Sequence, residues 1–313
     1  MPVLRRLAAV PLLLLGAATI VFFLIHLVPG DPAAAMMGEG AAPADVAALR
    51  HELGLDRPLP AQYVSWLSAL SRGDLGRSIL TRRPVSGEIA KALPATAQLA
   101  LAAFAASLLV ALPAGVLGAL FRGRWPDHLL RVVSLAGVST PNYVSAPLLV
   151  LVFSVGLGWL PVSGRGGAGS LVLPAATLGL TLAALLSRMV RASLVDEMAR
   201  PYVVAALARG ESRRGAAMRH AFRNALTPVL VVAGLQFGSL LTGAVVTETI
   251  FSWPGIGRLL VQSIQRRDYP LVQGCVLFIA AVYTLVNAGV DVLAVRLDPR
   301  AGARRAARAG GAA

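Results

Sequence analysis

The chain has 313 residues, of which 56% are hydrophobic and only 14% are charged, and its mean hydropathy is +0.70. A soluble domain carries about 25% charged residues, so this composition excludes an ordinary soluble protein and indicates membrane spans. The formal net charge of +14 would suit nucleic acid, but the arginines lie beside apolar runs, where they set membrane topology, and we predict no nucleic-acid partner.

Six long apolar runs predict six transmembrane helices. In chain order they cover residues 7–28, 96–121, 129–157, 171–190, 226–247 and 271–295. Backbone polar groups in lipid must be satisfied within the spanning structure, and no alternating barrel strands of about 10 residues occur, so we expect helices. The predicted fold class is an all-α membrane protein with six transmembrane helices.

A signal peptide is the alternative interpretation of the first run, because Arg5 and Arg6 precede it. However, the run is longer than the usual apolar region of roughly 7–15 residues, and no small-residue cleavage site closes it. It ends instead at the sequence PGDP (29–32), which combines a helix stop with turn residues. We therefore predict an uncleaved first span.

The distribution of arginine predicts the orientation of the chain. Four segments that lie on one side of a six-span topology are arginine-rich, with Arg5, Arg6, Arg122, Arg124, Arg131, Arg188, Arg191, Arg200, Arg209, Arg213, Arg214, Arg219, Arg223, Arg296, Arg300, Arg304, Arg305 and Arg308. The opposite segment 30–95 balances seven basic against seven acidic residues. The positive-inside rule makes the arginine-rich side cytoplasmic and places both termini there.

The spans divide the chain into an N-terminal cytoplasmic end with the first transmembrane helix (1–30), an extracytoplasmic segment (31–95), a core with five further spans (96–300) and a C-terminal tail (301–313). Turn and helix signals predict short helices at 44–53 and 62–70 in the extracytoplasmic segment, the second with Trp66 available to pack on the bundle. The tail is rich in Gly, Ala and Arg, and we expect it to be disordered.

The residues that catalysis would require are missing from the sequence. The only lysine is Lys91, between two alanines, so no nucleotide-binding P-loop exists. The four histidines lack the spacing of paired metal ligands, and no nucleophile elbow of the type G-x-S-x-G is present. We predict a chain with no catalytic residues, no metal site and no cofactor of its own.

An ion-coupled carrier or a channel would need polar groups deep in the spans. The candidates are Glu248, at the outer end of span five, and Asp291, near the inner end of span six. We interpret Asp291 as a partner for a juxtamembrane arginine rather than as a proton carrier, and no filter sequence is visible. The energy for any transport is therefore expected to come from elsewhere.

The loop 191–225, between spans four and five, brings an ordered, arginine-rich segment into the cytoplasm. We predict a helix at 202–209, a turn at Gly210 and a second helix at 214–225 that leads into span five, where Pro228 introduces a kink. Such a loop suits docking of a soluble partner. An amphipathic helix that binds anionic lipid is the alternative interpretation.

The spacing Ala205-Ala206-x-x-x-Gly210, followed by Asn224-Ala-Leu-x-Pro228, resembles the EAA loop in permease subunits of bacterial ABC importers. More specifically, the chain resembles the first permease of the dipeptide/oligopeptide/nickel subfamily. The matching segments are PGDP (29–32), LGLDRPLPAQY (53–63), GDLGRS (73–78), PAT (94–96), ETIFSWPGIGR (248–258), RRDYPLVQ (266–273) and LDPR (297–300). Two positions depart from the pattern, since Val204 replaces the acidic residue of the loop and Pro201 precedes Tyr202.

The resemblance implies a subunit of the bacterial plasma membrane that pairs with a second homologous permease, two cytoplasmic ATPase subunits that bind ATP and Mg, and an extracytoplasmic solute-binding protein. It implies that the loop couples to the ATPase through Tyr202, Ala205, Ala206, Arg209, Gly210, Arg219, Asn224 and Pro228. Segments 30–95 and 249–270 would form a receptor-facing platform that includes Asp74, Gly76, Trp253, Pro254, Gly255, Gly257, Asp268 and Tyr269.

The substrate implied by the resemblance is a dipeptide or oligopeptide, with nickel or a nickel chelate as the alternative. Two functions of other classes stay open from the residues alone. One is an autonomous ion-coupled carrier, and the other is a non-transport membrane scaffold.

Overall fold

The computed structural model describes residues 2–26, 32–38, 40, 42–52 and 54–297. Within these ranges the chain is built from helices and turns, and its one extended pairing is an isolated bridge between Arg77 and Pro84. The prediction of an all-α protein is confirmed. The residues 29–31, 298–300 and 301–313, and the side chain of Asp291, lie outside the described part, so the predictions made for them are not tested.

The helices follow one another in the order of the predicted segments. They are α1 (Pro2–His26), α2 (Pro32–Met37), α3 (Pro43–Glu52), α4 (Leu59–Ser71), α5 (Val85–Leu120), α6 (Trp125–Ser139), α7 (Asn142–Leu149), α8 (Val172–Met198), α9 (Pro201–Ala208), α10 (Arg213–Ala216), α11 (Phe222–Ile250), α12 (Ile256–Gln265) and α13 (Tyr269–Leu297). Single π-helical turns extend α7 through Val150–Gly156 and join α10 to α11 through Ala217–Ala221, and a 3₁₀ turn, Ala168–Leu171, precedes α8.

Three described helices are long and apolar enough to cross a bilayer by themselves, and the number rises to five if each of two bent pairs forms one span. The first predicted span corresponds to a shorter apolar stretch, Val10–Phe23, within α1. The multi-pass character is therefore clear, whereas the count of six spans stays a prediction. Below, "inner" means the side of the loop 191–225 and "outer" means the opposite side.

The third predicted span is not one continuous helix, and this corrects the sequence interpretation. Helices α6 and α7 meet at an angle of 109° across Thr140 and Pro141. Thr140 adopts an extended conformation, with φ −92° and ψ 114°, because the ring of a following proline disfavours the α-helical region. Pro141 then has no N–H to continue the ladder, so the chain restarts in a new direction.

The start of one helix and the place of one bend also differ from the sequence predictions. Helix α5 begins at Val85 rather than at residue 96 and passes through Pro94 without ending, since Val85 and Ile89 pack in a buried cluster with Ile256 and Leu271. Helix α11 runs through Pro228 without a break. The change of direction in α11, 52°, lies instead between Leu240 and Gly243.

The central packing joins α5, α8 and α11 through small residues. A Cβ atom on Gly115 of α5 would lie 2.5 Å from Cβ of Val190 on α8, and one on Gly179 of α8 would lie 2.7 Å from the carbonyl oxygen of Ala103. Small residues permit such close approach where no hydrophobic effect drives helices together in lipid. These helices therefore form the closely packed centre of the bundle.

The predicted outer helices are confirmed as α3 and α4. Trp66 and Leu70 of α4 pack against Ala18 and Val21 of α1, and the hydroxyls of Tyr63 and Thr19 lie 2.8 Å apart. These contacts hold α4 against α1.

Candidate functional site

The loop 191–225, which we call the coupling loop, folds as an ordered extension of α8. Helix α9 starts with Pro201, a residue whose fixed φ suits the first helical position. On its buried face, Val203 packs in one cluster with Leu194 of α8 and Ala119 of α5, and Ala216, Ala221 and Ala225 complete that cluster. The loop is thus attached to the inner ends of three bundle helices.

Tyr202 connects the two ends of the coupling loop. Its hydroxyl donates a 2.6 Å hydrogen bond to Oε1 of Glu197, at the end of α8, and accepts a 2.9 Å hydrogen bond from Nδ2 of Asn224, in α11. Partial burial raises the pKa of the Tyr202 hydroxyl, and its hydrogen bond to Glu197 adds to the rise. The hydroxyl therefore stays protonated and keeps its role as a donor at neutral pH.

The turn after α9 is closed by backbone geometry and by Glu211. Gly210 has φ +87°, a left-handed conformation that glycine adopts without steric cost, and the amide of Glu211 donates to the carbonyl of Ala206. The Glu211 carboxylate lies 2.8 Å from Nε2 of His220 and 3.5 Å from Arg219. Both helices beside the turn are therefore fixed relative to each other.

The other face of the coupling loop is exposed. Val204 is 51% exposed and Met218 is 49% exposed, and the exposed residues around them include Ala205, Ala208, Arg209, Arg213, Arg214, Arg219 and Arg223. Of the predicted coupling residues, only Ala206 is buried, and it packs the loop onto the bundle rather than facing a partner. The exposed side chains of the coupling loop are therefore partly apolar and partly basic.

On the outer side, the segments PAT (94–96) and ETIFSWPGIGR (248–258) meet in one buried cluster, which we call the outer clamp. Thr96 donates a 2.6 Å hydrogen bond to Oε1 of Glu248 and accepts a 2.8 Å hydrogen bond from the amide of Ile256. The amide of Arg258 donates to Oε2 of Glu248 at 3.1 Å. The carboxyl of Glu248 thus joins α5, α11 and the start of α12.

Trp253 and two glycines complete the outer clamp. The indole Nε1 of Trp253 donates a 2.8 Å hydrogen bond to the carbonyl of Ala95, and the guanidinium of Arg165 lies 5.7 Å from the ring centroid. A Cβ atom on Gly255 would overlap the Glu248 carboxylate, and one on Gly257 would overlap the backbone of Val245. Both positions require glycine because other backbone or carboxylate atoms occupy the space.

A second buried contact joins the segments GDLGRS (73–78) and RRDYPLVQ (266–273). Ser78 donates a hydrogen bond to Oδ2 of Asp268, and the amide of Ile79 donates to Oδ1 at 3.2 Å. The amide of Leu271 lies 3.5 Å from the same Oδ1, so Asp268 also caps the first turn of α13. A cavity of about 610 Å³ opens beside this contact, with Trp66, Arg57 and Tyr269 among its lining residues.

The predicted platform residues divide into two groups by exposure. Asp74, Gly76, Pro254 and Tyr269 are exposed or partly exposed, whereas Trp253, Gly255, Gly257 and Asp268 are buried. A buried residue cannot contact a partner directly. The four buried residues therefore stabilise the outer loops by packing beneath their exposed residues. Thr96 and Ser78 lie within the matching segments, but no local pattern marks their hydrogen bonds, whereas Glu248 is marked as an acid at the end of an apolar span.

Two family models match the chain and show the protein family to which it belongs. Residues 111–302 match the family described as "Binding-protein-dependent transport system inner membrane component", and residues 2–100 match "Binding-prot-dependent transport system membrane comp, N-term". The chain belongs to this family of importer permeases.

The alignments with two similar proteins cover nearly the whole length of this permease. It is 40% identical over 295 residues to the glutathione transport system permease protein GsiC of Escherichia coli O6:H1, an alignment that covers 94% of this chain and 96% of that relative. It is 40% identical over 297 residues to the protein of the same name in Salmonella paratyphi A, with 95% and 97% covered. These relatives confirm the resemblance to the peptide and nickel subfamily of ABC importer permeases.

A solved structure supports the fold. The crystal structure of an amino acid ABC transporter with histidines matches with a TM-score of 0.50 at 17% identity, and the match covers 69% of this chain and 94% of that chain. The permease is a non-catalytic, multi-pass subunit of an inner-membrane importer. Its family implies ATPase and binding-protein partners.

Proposed function

We propose that this permease forms the translocation pathway together with a second, homologous permease. Two cytoplasmic ATPase subunits would bind ATP and Mg and supply the energy, while this chain would hold no metal or cofactor. We further propose that both termini and the coupling loop face the cytoplasm and that the segment 31–95 faces outward. The arginine distribution supports this orientation.

The observation that carries the proposal is the two-faced construction of the coupling loop. Its buried face is packed in a cluster with Leu194 and Ala119, so a push on the loop reaches α8 and α5. Its exposed face presents the apolar side chains of Val204 and Met218 together with several arginines. Protein interfaces commonly place an apolar core within a polar rim, and a partner with acidic residues around an apolar groove would complement this face.

On the other side of the membrane, the exposed residues Asp74, Gly76, Pro254 and Tyr269 are proposed to face the solute-binding protein. The buried residues of the outer clamp would hold these loops in position on α5 and α11. Receptor docking would in this way bear on the same helices that the coupling loop reaches from the inner side.

We propose peptides as the substrate class, and glutathione as the first candidate within that class. The relatives named above are permeases of glutathione transport systems, and their alignments cover 94% and 95% of this chain. Uptake of labelled glutathione, of a dipeptide and of Ni²⁺ into vesicles that contain the complete importer would test this order. Uptake of Ni²⁺ alone would contradict the peptide proposal.

Two neighbouring valines give a matched test of docking. Val204 is exposed on the proposed ATPase face, so Val204→Glu should prevent co-purification of the ATPase while the thermal stability of the permease stays the same. Val203 is buried, so Val203→Ala should lower stability by about 1–3 kcal/mol and keep the docking face. If Val204→Glu binds the ATPase as the unmodified chain does, this face is not the docking site.

A lipid-binding loop would give a different result in the same experiment. In that case Val204→Glu would reduce association of the loop with anionic vesicles and leave ATPase binding unchanged.

A further inference from the structure

Asp127, at the start of α6, is the most completely paired acidic residue on the inner side of the described chain. Its side chain is fully buried, and both carboxylate oxygens have partners. Arg191 binds it in a bidentate manner, with Nε on Oδ1 and a terminal nitrogen 2.9 Å from Oδ2. Arg131 and the backbone amide of Gly123 each donate to Oδ2 at 2.9 Å.

Arg191 connects this ion pair to the coupling loop. Arg191 is the first residue of the coupling loop as defined above, and it lies on α8. Leu194, one turn further along the same helix, packs in the buried cluster with Val203 and Ala221 of the loop. One end of α8 therefore carries the contact to the loop and the ion pair to α6.

Further along the two helices, α6 and α8 also contact each other through small side chains. The hydroxyls of Ser134 and Ser187 lie 3.1 Å apart, and a Cβ atom on Gly137 would lie 2.9 Å from Cβ of Ala184. A bidentate arginine–carboxylate pair fixes both distance and direction more strictly than these small contacts do. Asp127 therefore attaches the inner end of α6 to α8.

Movement of α6 would reach the interior of the bundle through the break at Thr140 and Pro141. Beyond the break, Asn142 of α7 accepts a 3.2 Å hydrogen bond from Thr181 of α8. Helix α7 thus has its own attachment to α8 on the outer half. The 109° angle between α6 and α7 can change only if the two attachments move differently.

We propose that Asp127 is a positioning residue that couples ATP hydrolysis to transport. Through Arg191 it makes α6 move with α8 when the coupling loop moves, so the movement of the loop is transmitted to the broken helix α6–α7. The proposal rests on the proposed docking of an ATPase on the coupling loop. It assigns Asp127 no contact with the transported solute.

The first test is Asp127→Asn in the complete importer, reconstituted with its ATPase and binding protein. The amide keeps the shape of the carboxylate but loses the charge that holds Arg191. We expect normal assembly and ATP hydrolysis, with the amount of solute transported per ATP reduced about tenfold, because coupling between sites in proteins is typically worth about 5–150-fold. A merely structural role would instead lower assembly, hydrolysis and uptake together, and that result would overturn the proposal.

Arg131→Gln is the matched control. Arg131 also binds Asp127, but it lies on α6 itself, four residues away, and its side chain is 49% exposed. Removing it leaves the connection between α6 and α8 in place, so transport per ATP should stay unchanged. An equal loss in both variants would show that the link to α8 is not what matters.

A disulfide between α6 and α8 should restore the transport that Asp127→Asn loses. Ser134 and Ser187 are close enough for Ser134→Cys and Ser187→Cys to form a disulfide between α6 and α8, and the native Cys275 is buried in another cluster. In the Asp127→Asn background, oxidation should restore transport per ATP and reduction should remove it again. If oxidation restores nothing, attachment of α6 to α8 is not the function of Asp127.

Arg191→Lys decides the matter if Asp127→Asn fails to assemble. Lysine keeps the positive charge but cannot form the two-pronged contact, so assembly should persist with reduced transport per ATP. Unchanged transport per ATP in this variant would overturn the proposal. If the unmodified chain binds no ATPase at all, the failure lies with the proposed function instead.

Discussion

Thr96 and Glu248 are joined by a 2.6 Å hydrogen bond although 152 positions separate them in the sequence. The same threonine oxygen accepts the amide of Ile256, so one side chain connects three helices at the outer end of the bundle. The contact brings together two segments that the sequence marked independently. It explains why a glutamate is found at the end of an otherwise apolar span: Glu248 is a structural acceptor inside the outer clamp.

The outer clamp predicts a loss of stability for Thr96→Val. Valine matches the shape of threonine but cannot donate to Glu248 or accept from Ile256, so two buried polar groups lose a partner. We expect a loss of about 1–3 kcal/mol, measured as a lower thermal unfolding temperature of the purified permease in detergent.

Thr249→Val is the control for this prediction. Thr249 is exposed and donates only to the carbonyl of Val245 within its own helix, at 2.8 Å. The change in stability should stay within about 0.5 kcal/mol. Equal effects of the two substitutions would mean that the outer clamp contributes nothing specific.

Gly255→Ala should prevent correct assembly of the outer loops. The added methyl group would occupy the space of the Glu248 carboxylate, which is held by Thr96 and cannot move aside without losing its hydrogen bonds. We expect poor recovery of monodisperse protein in size-exclusion chromatography. Gly87→Ala, in the first turn of α5 with no atom near the new methyl group, should be neutral or stabilising by up to about 1 kcal/mol.

Local patterns in the sequence were enough to predict most helices. The apolar runs gave the long helices, and the proline and glycine signals gave α3 and α4. Val203 and Ala206 are three residues apart, a helical spacing, and both are buried on one face of α9, although the sequence interpretation placed Ala206 among the coupling residues. These features depend on neighbouring residues, which is why a sequence reveals them.

Long-range contacts were not predictable in the same way. The sequence placed Trp253 and Asp268 on a platform, but their burial depends on Ala95 and Ser78, which lie far away in the chain. The break between α6 and α7 did have a local signal, the pair Thr140-Pro141, which the continuous apolar run 129–157 obscured. Asp127 also had a local signal in the sequence, because it is an isolated acidic residue among arginines.

Ser78 and Asp268 should show an energetic coupling in a double-mutant cycle. Ser78→Ala and Asp268→Ala each remove the hydrogen bond between the loop 73–78 and the start of α13, so the two changes together should cost less than the sum of the single changes. We expect a coupling energy of about 0.5–3 kcal/mol from thermal unfolding of the four proteins. Ser71→Ala, which loses only a contact to Ser68 in its own helix, should show no coupling to Asp268→Ala.

Gly210→Val tests the coupling loop through its backbone. Gly210 has φ +87° and no atom near a new Cβ, so valine causes no collision but strains the turn by about 1–2 kcal/mol. The turn would relax and shift α9 relative to α10, and uptake should fall at least about tenfold while the protein still inserts in the membrane. Gly158→Val is the matched control, because Gly158 also has a positive φ, +65°, and open space around it but lies outside the coupling loop. Vesicle uptake measured for both variants separates the two positions: unchanged uptake in Gly210→Val would show that the geometry of this turn does not transmit the stroke.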